Sequence, residues 1–468
     1  MATETAGSLT ATGDTSAGQT STAYVFLVAA VVSLGSFLMG YSLVIISGAI
    51  IFLKTAFSLN PTQLGFAVSS SAIGCILGPL VGGSIGDLLG RKKALTLTGI
   101  LFAASAIGTA FPTSIFEFNL FRVVGGVGVG IASAVLPMYL SEIAPARIRG
   151  RLVAVYQLAM VVGGLSSTIV SYLLSSSGNW RWMLGAQFFP AVGLLLGVMF
   201  VPESPRWLVE KGRLQEARRI LSRVGGLEYA ESEERQIAGS VSAGNEKPAF
   251  SELLHRGTRI ALLIAVSLAL LQQLSGDNII FLYAPIIFQK AGFVRAQDAL
   301  RQTVLMSCWN LVCTVVAFWS VDRAGRRPLL LAGTFGMTIG FVLMGGIFYF
   351  GVTGWPVLAV VLLCVGAYAS GLAPVSWLIM SEIFPTRLRG RAMAVASFAV
   401  WFSFFISGQA FPPAVAYLEK RFGNISVAFW VCACVSCLAF IFAWKMVPET
   451  KGRSLEEIAA SWIKGKRV

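Results

Sequence analysis

The segment that decides the fold occurs twice: Ser141–Val155 reads SEIAPARIRGRLVAV, and Ser381–Val395 reads SEIFPTRLRGRAMAV. The offset is 240 residues, and ten of the fifteen positions are identical. Two shorter pairs recur in the same order, at offsets of 235 and 246: Asp87-Leu-Leu-Gly-Arg-Lys with Asp322-Arg-Ala-Gly-Arg-Arg, and Pro202-Glu-Ser with Pro448-Glu-Thr. Three ordered matches indicate a duplicated unit that makes up roughly half of the chain.

The composition places this duplicated unit in a membrane. Hydrophobic residues make up 56% of the 468 residues and charged residues 12%, whereas soluble domains have about 25% charged residues. Continuous apolar stretches of about 20 residues recur, which is long enough to cross a hydrocarbon core as a helix and unlike the alternating pattern of a barrel. We predict an all-α membrane protein with twelve transmembrane helices near 24–51, 64–85, 94–112, 115–140, 151–174, 182–201, 258–289, 302–321, 328–350, 355–380, 391–416 and 425–447.

The net charge of +14 reports orientation rather than a nucleic-acid partner. If both termini are cytoplasmic, most of the 36 Lys and Arg residues fall on the cytoplasmic side, as the positive-inside rule requires. Equivalent loops then face one side, so each half contains an even number of spans. The predicted domains are a disordered tail at 1–23, a six-helix bundle at 24–201, a cytoplasmic linker with short helices at 202–257, a second six-helix bundle at 258–447 and a cytoplasmic tail at 448–468.

Seven motifs in order along the chain resemble the sugar porter family of the major facilitator superfamily. The resemblance covers nearly the whole chain after residue 24. It implies the major facilitator fold, a monosaccharide substrate (a hexose or a pentose) and alternating access by two rocking bundles, without a cofactor. The motifs are Gly83–Lys92, Arg122–Gly130, Pro137–Glu142, Pro202–Leu208, Gln272–Asn278, Ala373–Trp377 and Pro448–Ser454.

The repeated loop motifs combine carboxylates with clustered arginines. Such pairs are directional and can be bidentate, and the resemblance implies that they close the cytoplasmic side when the sugar site faces outward. The alternative is that the charges only set topology, although topology requires Lys and Arg but no matched Glu. The predicted gating residues are Asp87, Arg91, Glu142, Arg149, Glu203, Arg206, Asp322, Arg326, Glu382, Arg389, Glu449 and Arg453.

Neutral amides and tryptophans inside the spans suit a sugar, which offers hydroxyl groups around a ring with apolar faces. The alternatives are helix–helix hydrogen bonds for the amides and packing for the tryptophans. Val400 and Phe404 stand where the family often has amides, Leu282-Tyr283 replaces a Tyr-Tyr pair, and Gly164 replaces a polar residue of some members. The residues that match family sugar contacts are Gln157, Gln272, Gln273, Asn278, Asn310, Trp377 and Trp401.

Energy coupling depends on one departure from the family pattern. Proton-coupled members resemble Gly-Tyr-Asp in the first span, with the Asp facing the arginine at position 122, whereas this chain reads Gly40-Tyr41-Ser42. Because Ser42 does not titrate at physiological pH, we expect a passive uniporter. The alternative is a proton symporter that uses another intramembrane carboxylate such as Asp277.

Other classes of protein fit less well. A non-transporting sugar sensor on the same fold would carry long signalling tails, and a drug or organic-acid carrier would need fewer amides. Nothing predicts a catalytic triad, a metal cluster or a phosphate loop, so no enzyme activity is expected. We expect a multi-pass protein of the plasma or bacterial inner membrane that works as a monomer in the lipid bilayer, with protons as a further partner under the symport alternative.

Overall fold

A computed structural model describes residues 20–242, 250–255, 258–384 and 386–449. These residues form helices joined by short loops. The helices are α1 (Thr20–Ala56), α2 (Pro61–Leu89), α3 (Arg91–Ala110), α4 (Ile115–Ile143), α5 (Ala146–Leu173), α6 (Trp180–Gly185), α7 (Phe188–Phe200), α8 (Pro205–Glu210), α9 (Leu214–Ser242), α10 (Thr258–Leu274), α11 (Asp277–Lys290), α12 (Ala296–Ala324), α13 (Arg326–Tyr349), α14 (Trp355–Ala367), α15 (Ala373–Glu382), α16 (Thr386–Phe422) and α17 (Ser426–Met446).

Within the described residues, twelve helical segments are long and apolar enough to cross a membrane. Three of them consist of two helices in series: α6 with α7, α10 with α11, and α14 with α15. The predicted all-α, twelve-span fold is therefore confirmed. The helix α1 begins at Thr20, inside the predicted 1–23 tail, and residues 1–19 lie outside the described part. The other domain boundaries stay predictions.

We call the end of the molecule that carries the repeated charged loops the charged-loop face. At the opposite end, capping residues fix the turns between the helices. Asn60 accepts a hydrogen bond from the Gln63 backbone at 2.9 Å, and the Gln63 side chain accepts one from the Asn60 backbone at 3.1 Å. This capping box, followed by Pro61, starts α2 sharply. Ser114 caps α4 in a similar way, accepting from the Glu117 N–H at 3.2 Å.

Glycines allow very close helix packing in the first half. A Cβ on Gly40 of α1 would lie 1.8 Å from the carbonyl oxygen of Met160 on α5. A Cβ on Gly126 of α4 would lie 1.9 Å from the carbonyl oxygen of Ser71 on α2. Small residues at helix contacts are the usual basis of packing in membranes, so α1 with α5 and α2 with α4 form the framework of this bundle.

The seventh span, which is the first of the second half, is broken between α10 and α11. Gly276 adopts φ +102°, and a Cβ there would meet Phe341 at 2.7 Å and Cys432 at 2.8 Å. The carbonyl oxygen of Ser275 accepts a hydrogen bond from Ser436 Oγ of α17 at 2.9 Å. Such a break is tolerated in a membrane when neighbouring helices satisfy the freed backbone groups, and it places Asp277 at the first turn of α11.

The segment predicted as a linker contains the short helix α8 and the longer helix α9. α8 begins after Ser204, which accepts a hydrogen bond from the Trp207 N–H at 3.2 Å. α9 bends at Gly226, which has φ 87°. Exposed ion pairs such as Arg213–Glu216, at 2.6 Å, lie along α9 and just before it, which is typical of a solvated helical segment.

Candidate functional site

The two repeats adopt the same geometry at the charged-loop face. Gly90 (φ 93°, ψ 161°) precedes α3, and Gly325 (φ 92°, ψ 165°) precedes α13. The carboxylate of Glu203 accepts hydrogen bonds from the N–H groups of Arg91 at 2.8 Å and Lys92 at 3.2 Å. A negative charge stabilises the N-terminus of a helix, so Glu203 anchors the start of α3 to the end of the sixth span.

Glu449 does the same for the second half. Its carboxylate accepts hydrogen bonds from the N–H groups of Arg326 at 3.1 Å and Arg327 at 3.0 Å. The sequence match between Pro202-Glu-Ser and Pro448-Glu-Thr therefore corresponds to one repeated structural device. In both halves the acid after the last span holds the start of the third span.

A second repeated pair joins the third and fourth spans of each half. Arg91 donates from Nε and Nη2 to the two carboxylate oxygens of Glu142, at 3.0 and 2.9 Å, and Asp87 Oδ1 lies 3.4 Å from Arg91 Nη1. Arg326 Nη2 donates to Glu382 at 3.4 Å. These pairs each lie within one half, so in this conformation they brace a bundle internally.

The remaining predicted gating residues differ in their surroundings. Arg206 pairs with Glu210 on its own short helix, at 3.4 Å. Two buried nitrogens of Arg389, Nε and Nη2, have no hydrogen-bond partner. The side chains of Arg149 and Asp322, and the whole of Arg453, lie outside the described residues. The gating role of this set stays a prediction.

Two of the predicted sugar amides join helices within the second half. Asn278 Nδ2 donates to Ser407 Oγ of α16 at 2.9 Å. Gln272 Nε2 donates to the carbonyl oxygen of Ala373 at 3.4 Å, while its buried Oε1 has no partner. A buried acceptor without a partner is costly, so Gln272 Oε1 is an unsatisfied group beside the break in the seventh span.

The other predicted sugar contacts fall into two groups. Four side chains are half-buried: Gln157, Gln273, Asn310 and Trp377. Trp401 is only 9% exposed and packs edge-on against Phe404, with ring centroids 5.8 Å apart. Packing therefore accounts for much of the surface of Trp401, whereas the half-buried group keeps surface for a ligand. Their binding roles stay predictions.

The buried arginine of α4 has neutral partners. Arg122, 3% exposed, donates from Nη1 to the Ser42 carbonyl oxygen and from Nη2 to Ser71 Oγ, both at 3.0 Å. Its Nε has no partner. Within the described part of the chain, no carboxylate forms an ion pair with Arg122. Ser71 is a partner that the sequence prediction missed, although the run Ser69-Ser70-Ser71 inside an apolar span is a signal.

A polar contact away from the charged-loop face joins the two halves. Gln409 Nε2 of α16 donates to the Thr62 carbonyl oxygen of α2 at 3.1 Å, and Gln409 Oε1 accepts from Ser69 Oγ at 3.4 Å. A Cβ on Gly65 would lie 2.5 Å from the Gln409 carbonyl oxygen. The halves thus touch backbone to backbone here. Sequence reasoning did not single out Gln409, although it is a polar residue inside an apolar span.

Comparisons with known proteins agree with this architecture. Residues 28–462 match the model of the family described as "Sugar (and other) transporter". The D-xylose-proton symporter of Escherichia coli (strain K12) is 36% identical, over 95% of this chain and 97% of that protein. The arabinose-proton symporter of Bacillus subtilis (strain 168) is also 36% identical, over 94% and 96%.

Solved structures of the xylose transporter XylE from E. coli have the same fold. Its inward-open conformation superposes with a TM-score of 0.82 at 34% identity, covering 94% of this chain and 100% of that one. The form bound to 6-bromo-6-deoxy-D-glucose gives 0.76 at 35% identity with the same coverage. This chain therefore belongs to the sugar transporter family of the major facilitator superfamily, and it is a transporter rather than an enzyme.

Proposed function

We propose that this protein imports a pentose or a hexose together with protons, by alternating access across the cell membrane. The observation that carries the proposal is full-length similarity to relatives that are proton symporters for xylose and arabinose. We further propose that both termini are cytoplasmic, as the distribution of Lys and Arg favours, and that one chain is the functional unit.

The comparisons do not support the passive uniporter that Ser42 led us to expect. Relatives at 36% identity move sugar with protons. Replacement of one carboxylate does not exclude coupling when another carboxylate lies inside the spans. Proton symport is therefore the stronger interpretation, and passive transport becomes one outcome of the experiment.

We infer that the structure represents an inward-facing state. Gln409 and Gly65 close the halves together at the end opposite the charged loops, which is the extracellular end if the termini are cytoplasmic. The superpositions on the inward-open and the partially occluded inward-open forms of XylE, with TM-scores of 0.82 and 0.81, support the same assignment. The intact pairs Arg91–Glu142 and Arg326–Glu382 are compatible with this state because each lies within one half.

The second half supplies most of the proposed sugar contacts. Gln272, Gln273 and Asn278 flank the break in the seventh span, and Asn310 lies on α12. Amides donate and accept hydrogen bonds at once, as ring hydroxyls require. Gln157 on α5 is the main polar contribution from the first half. An asymmetric binding site would then lie within a nearly symmetric scaffold.

Uptake into proteoliposomes tests the proposal. Purified protein would be given a panel of radiolabelled pentoses and hexoses, with and without an inward proton gradient, and the external pH would be recorded with a sensitive dye. We expect accumulation of one or a few of these sugars above the external concentration, driven by the gradient, with sugar-dependent alkalinisation outside. Equilibration without accumulation or proton movement would instead establish a uniporter.

A further inference from the structure

The break in the seventh span holds a carboxyl group without a charged partner. Asp277 is 2% exposed, its Oδ1 accepts no hydrogen bond, and in the described part of the chain it forms no ion pair. Burying an ionised carboxylate without a cation is strongly unfavourable. This pocket in the present conformation therefore suits a carboxyl group that carries its proton.

The surroundings of Asp277 are apolar or weakly acidic. In the described part of the chain, the titratable groups that interact with it include the thiol of Cys364 on α14 and the hydroxyl of Tyr368, the first residue of the π-helical segment Tyr368–Leu372. Cys432 of α17 and Phe341 of α13 lie against the adjacent Gly276. Arg122, a buried cation within the spans of the first half, binds Ser42 and Ser71 instead.

Two effects act on this carboxyl group in opposite directions. The dry surroundings favour the protonated form, whereas its position in the first turn of α11 favours the ionised form, because helix N-termini attract negative charge. Entry of water on opening of the site would tip the balance toward ionisation. Such a group can bind a proton in one conformation and release it in another.

We propose that Asp277 is the residue that binds the transported proton, a role that rests on the proposed proton-coupled transport. It takes a proton from the extracellular solution in the outward-facing state. In the inward-facing conformation described here the carboxyl group is still shielded from water, so it releases the proton to the cytoplasm only when further opening of this side lets water reach it. No other bond forms or breaks, and the charge of one carboxylate is the only change.

The contacts of α11 explain how this charge would act on the transport cycle. The next residue, Asn278, donates to Ser407 at 2.9 Å, and Tyr283 donates to the Gly408 carbonyl oxygen at 2.5 Å. Both acceptors directly precede Gln409, which joins α16 to the first half. A shift of the α11 N-terminus on ionisation would therefore reach a proposed sugar contact and the contact between halves.

The test compares Asp277→Asn, Asp277→Glu and the matched control Asp298→Asn, which removes a carboxylate from the first turn of α12 instead. Each reconstituted protein would be assayed for exchange of labelled sugar at equal pH, for accumulation driven by a proton gradient, and for sugar-dependent proton uptake. We expect Asp277→Asn to keep exchange within about tenfold of wild type but to lose accumulation and proton uptake. Asp277→Glu should restore both with a shifted pH profile.

The outcomes separate the inference from the proposed function. If the wild-type protein exchanges sugar but moves no protons, the proposed symport is wrong. If the wild type is coupled and Asp277→Asn stays coupled, Asp277 is not the proton site. If Asp277→Asn loses exchange as well, or if Asp298→Asn alone abolishes coupling, the assignment is also overturned, because the residue then serves binding or folding or another carboxylate carries the proton.

Discussion

Gly65 of the first half lies against the backbone of Gln409 in the second half, so closely that a Cβ on Gly65 would be 2.5 Å from the Gln409 carbonyl oxygen. Side chains cannot relieve this contact, because the near atom belongs to the backbone of α16. A larger residue at position 65 must therefore separate the halves at this end. A bulky substitution at Gly65 therefore tests whether this end must close during alternating access.

We expect Gly65→Val to lower sugar uptake to less than about a tenth of the wild-type rate by blocking closure of the proposed extracellular end. Cysteine probes should then react more readily from outside and less readily from inside. Gly346→Val is the matched control, since nothing lies within 4 Å of a Cβ at Gly346. Normal uptake by Gly65→Val would mean that this contact does not form during transport.

Asn278 should contribute directly to sugar affinity. Asn278→Ala removes an amide that now donates to Ser407 at 2.9 Å and is proposed to contact the sugar. We expect the KM for uptake to rise about tenfold, which corresponds to about 1.4 kcal/mol of binding free energy. Ser407→Ala removes only the acceptor and should change KM less than threefold. If both variants lower thermal stability and leave KM unchanged, Asn278 serves helix packing alone.

The sequence was sufficient to predict the duplication, the twelve spans and the residues at the charged loops, because apolar length and ordered repeats are local properties. It also identified Glu203 and Glu449, although their contacts with the N-termini of α3 and α13 depend on tertiary geometry. Ser71, Ser407 and Gln409 were missed. Serines and lone amides inside helices occur for many reasons, and only the fold shows what they bind.

The expectation of passive transport from Ser42 is not supported, for a related physical reason. Ser42 shows that one titratable group is absent, but the sequence does not reveal whether another carboxylate is paired or free. The structure shows Asp277 buried without a charged partner, which a spacing pattern cannot reveal. Energy coupling depends on such surroundings rather than on residue type alone.

The matched acids Glu203 and Glu449 should contribute equally to the stability of the protein. Glu203→Gln and Glu449→Gln each remove a negative charge from a helix N-terminus, an effect of about 1 kcal/mol. We expect each variant to lower the thermal unfolding midpoint in detergent by a few degrees. Glu231→Gln is the control, since it breaks an exposed pair with Arg218 away from the first turn of α9, and such a pair has small value. If only one of the two variants lowered the unfolding midpoint, the two repeats would not be equivalent.

Arg122 offers a test of how the first half tolerates a buried cation. Ser42→Asp places a carboxylate beside Arg122, whose Nη1 already lies 3.0 Å from the Ser42 carbonyl oxygen. Position 42 is 2% exposed, so the added volume costs about 1–3 kcal/mol in any variant of this size. Ser42→Asn carries the same volume without the charge and serves as the control.

The packing costs of these two variants cancel, so their difference measures the gain from the ion pair minus the cost of desolvating the new carboxylate. A buried charge that gains a hydrogen-bonded partner is stabilised, so we expect Ser42→Asp to unfold at a higher temperature than Ser42→Asn. Differential scanning fluorimetry of the purified proteins measures both midpoints under identical conditions. Equal midpoints would mean that Arg122 is already balanced by its neutral partners Ser42 and Ser71, and that the first half does not need a carboxylate at this position for its stability.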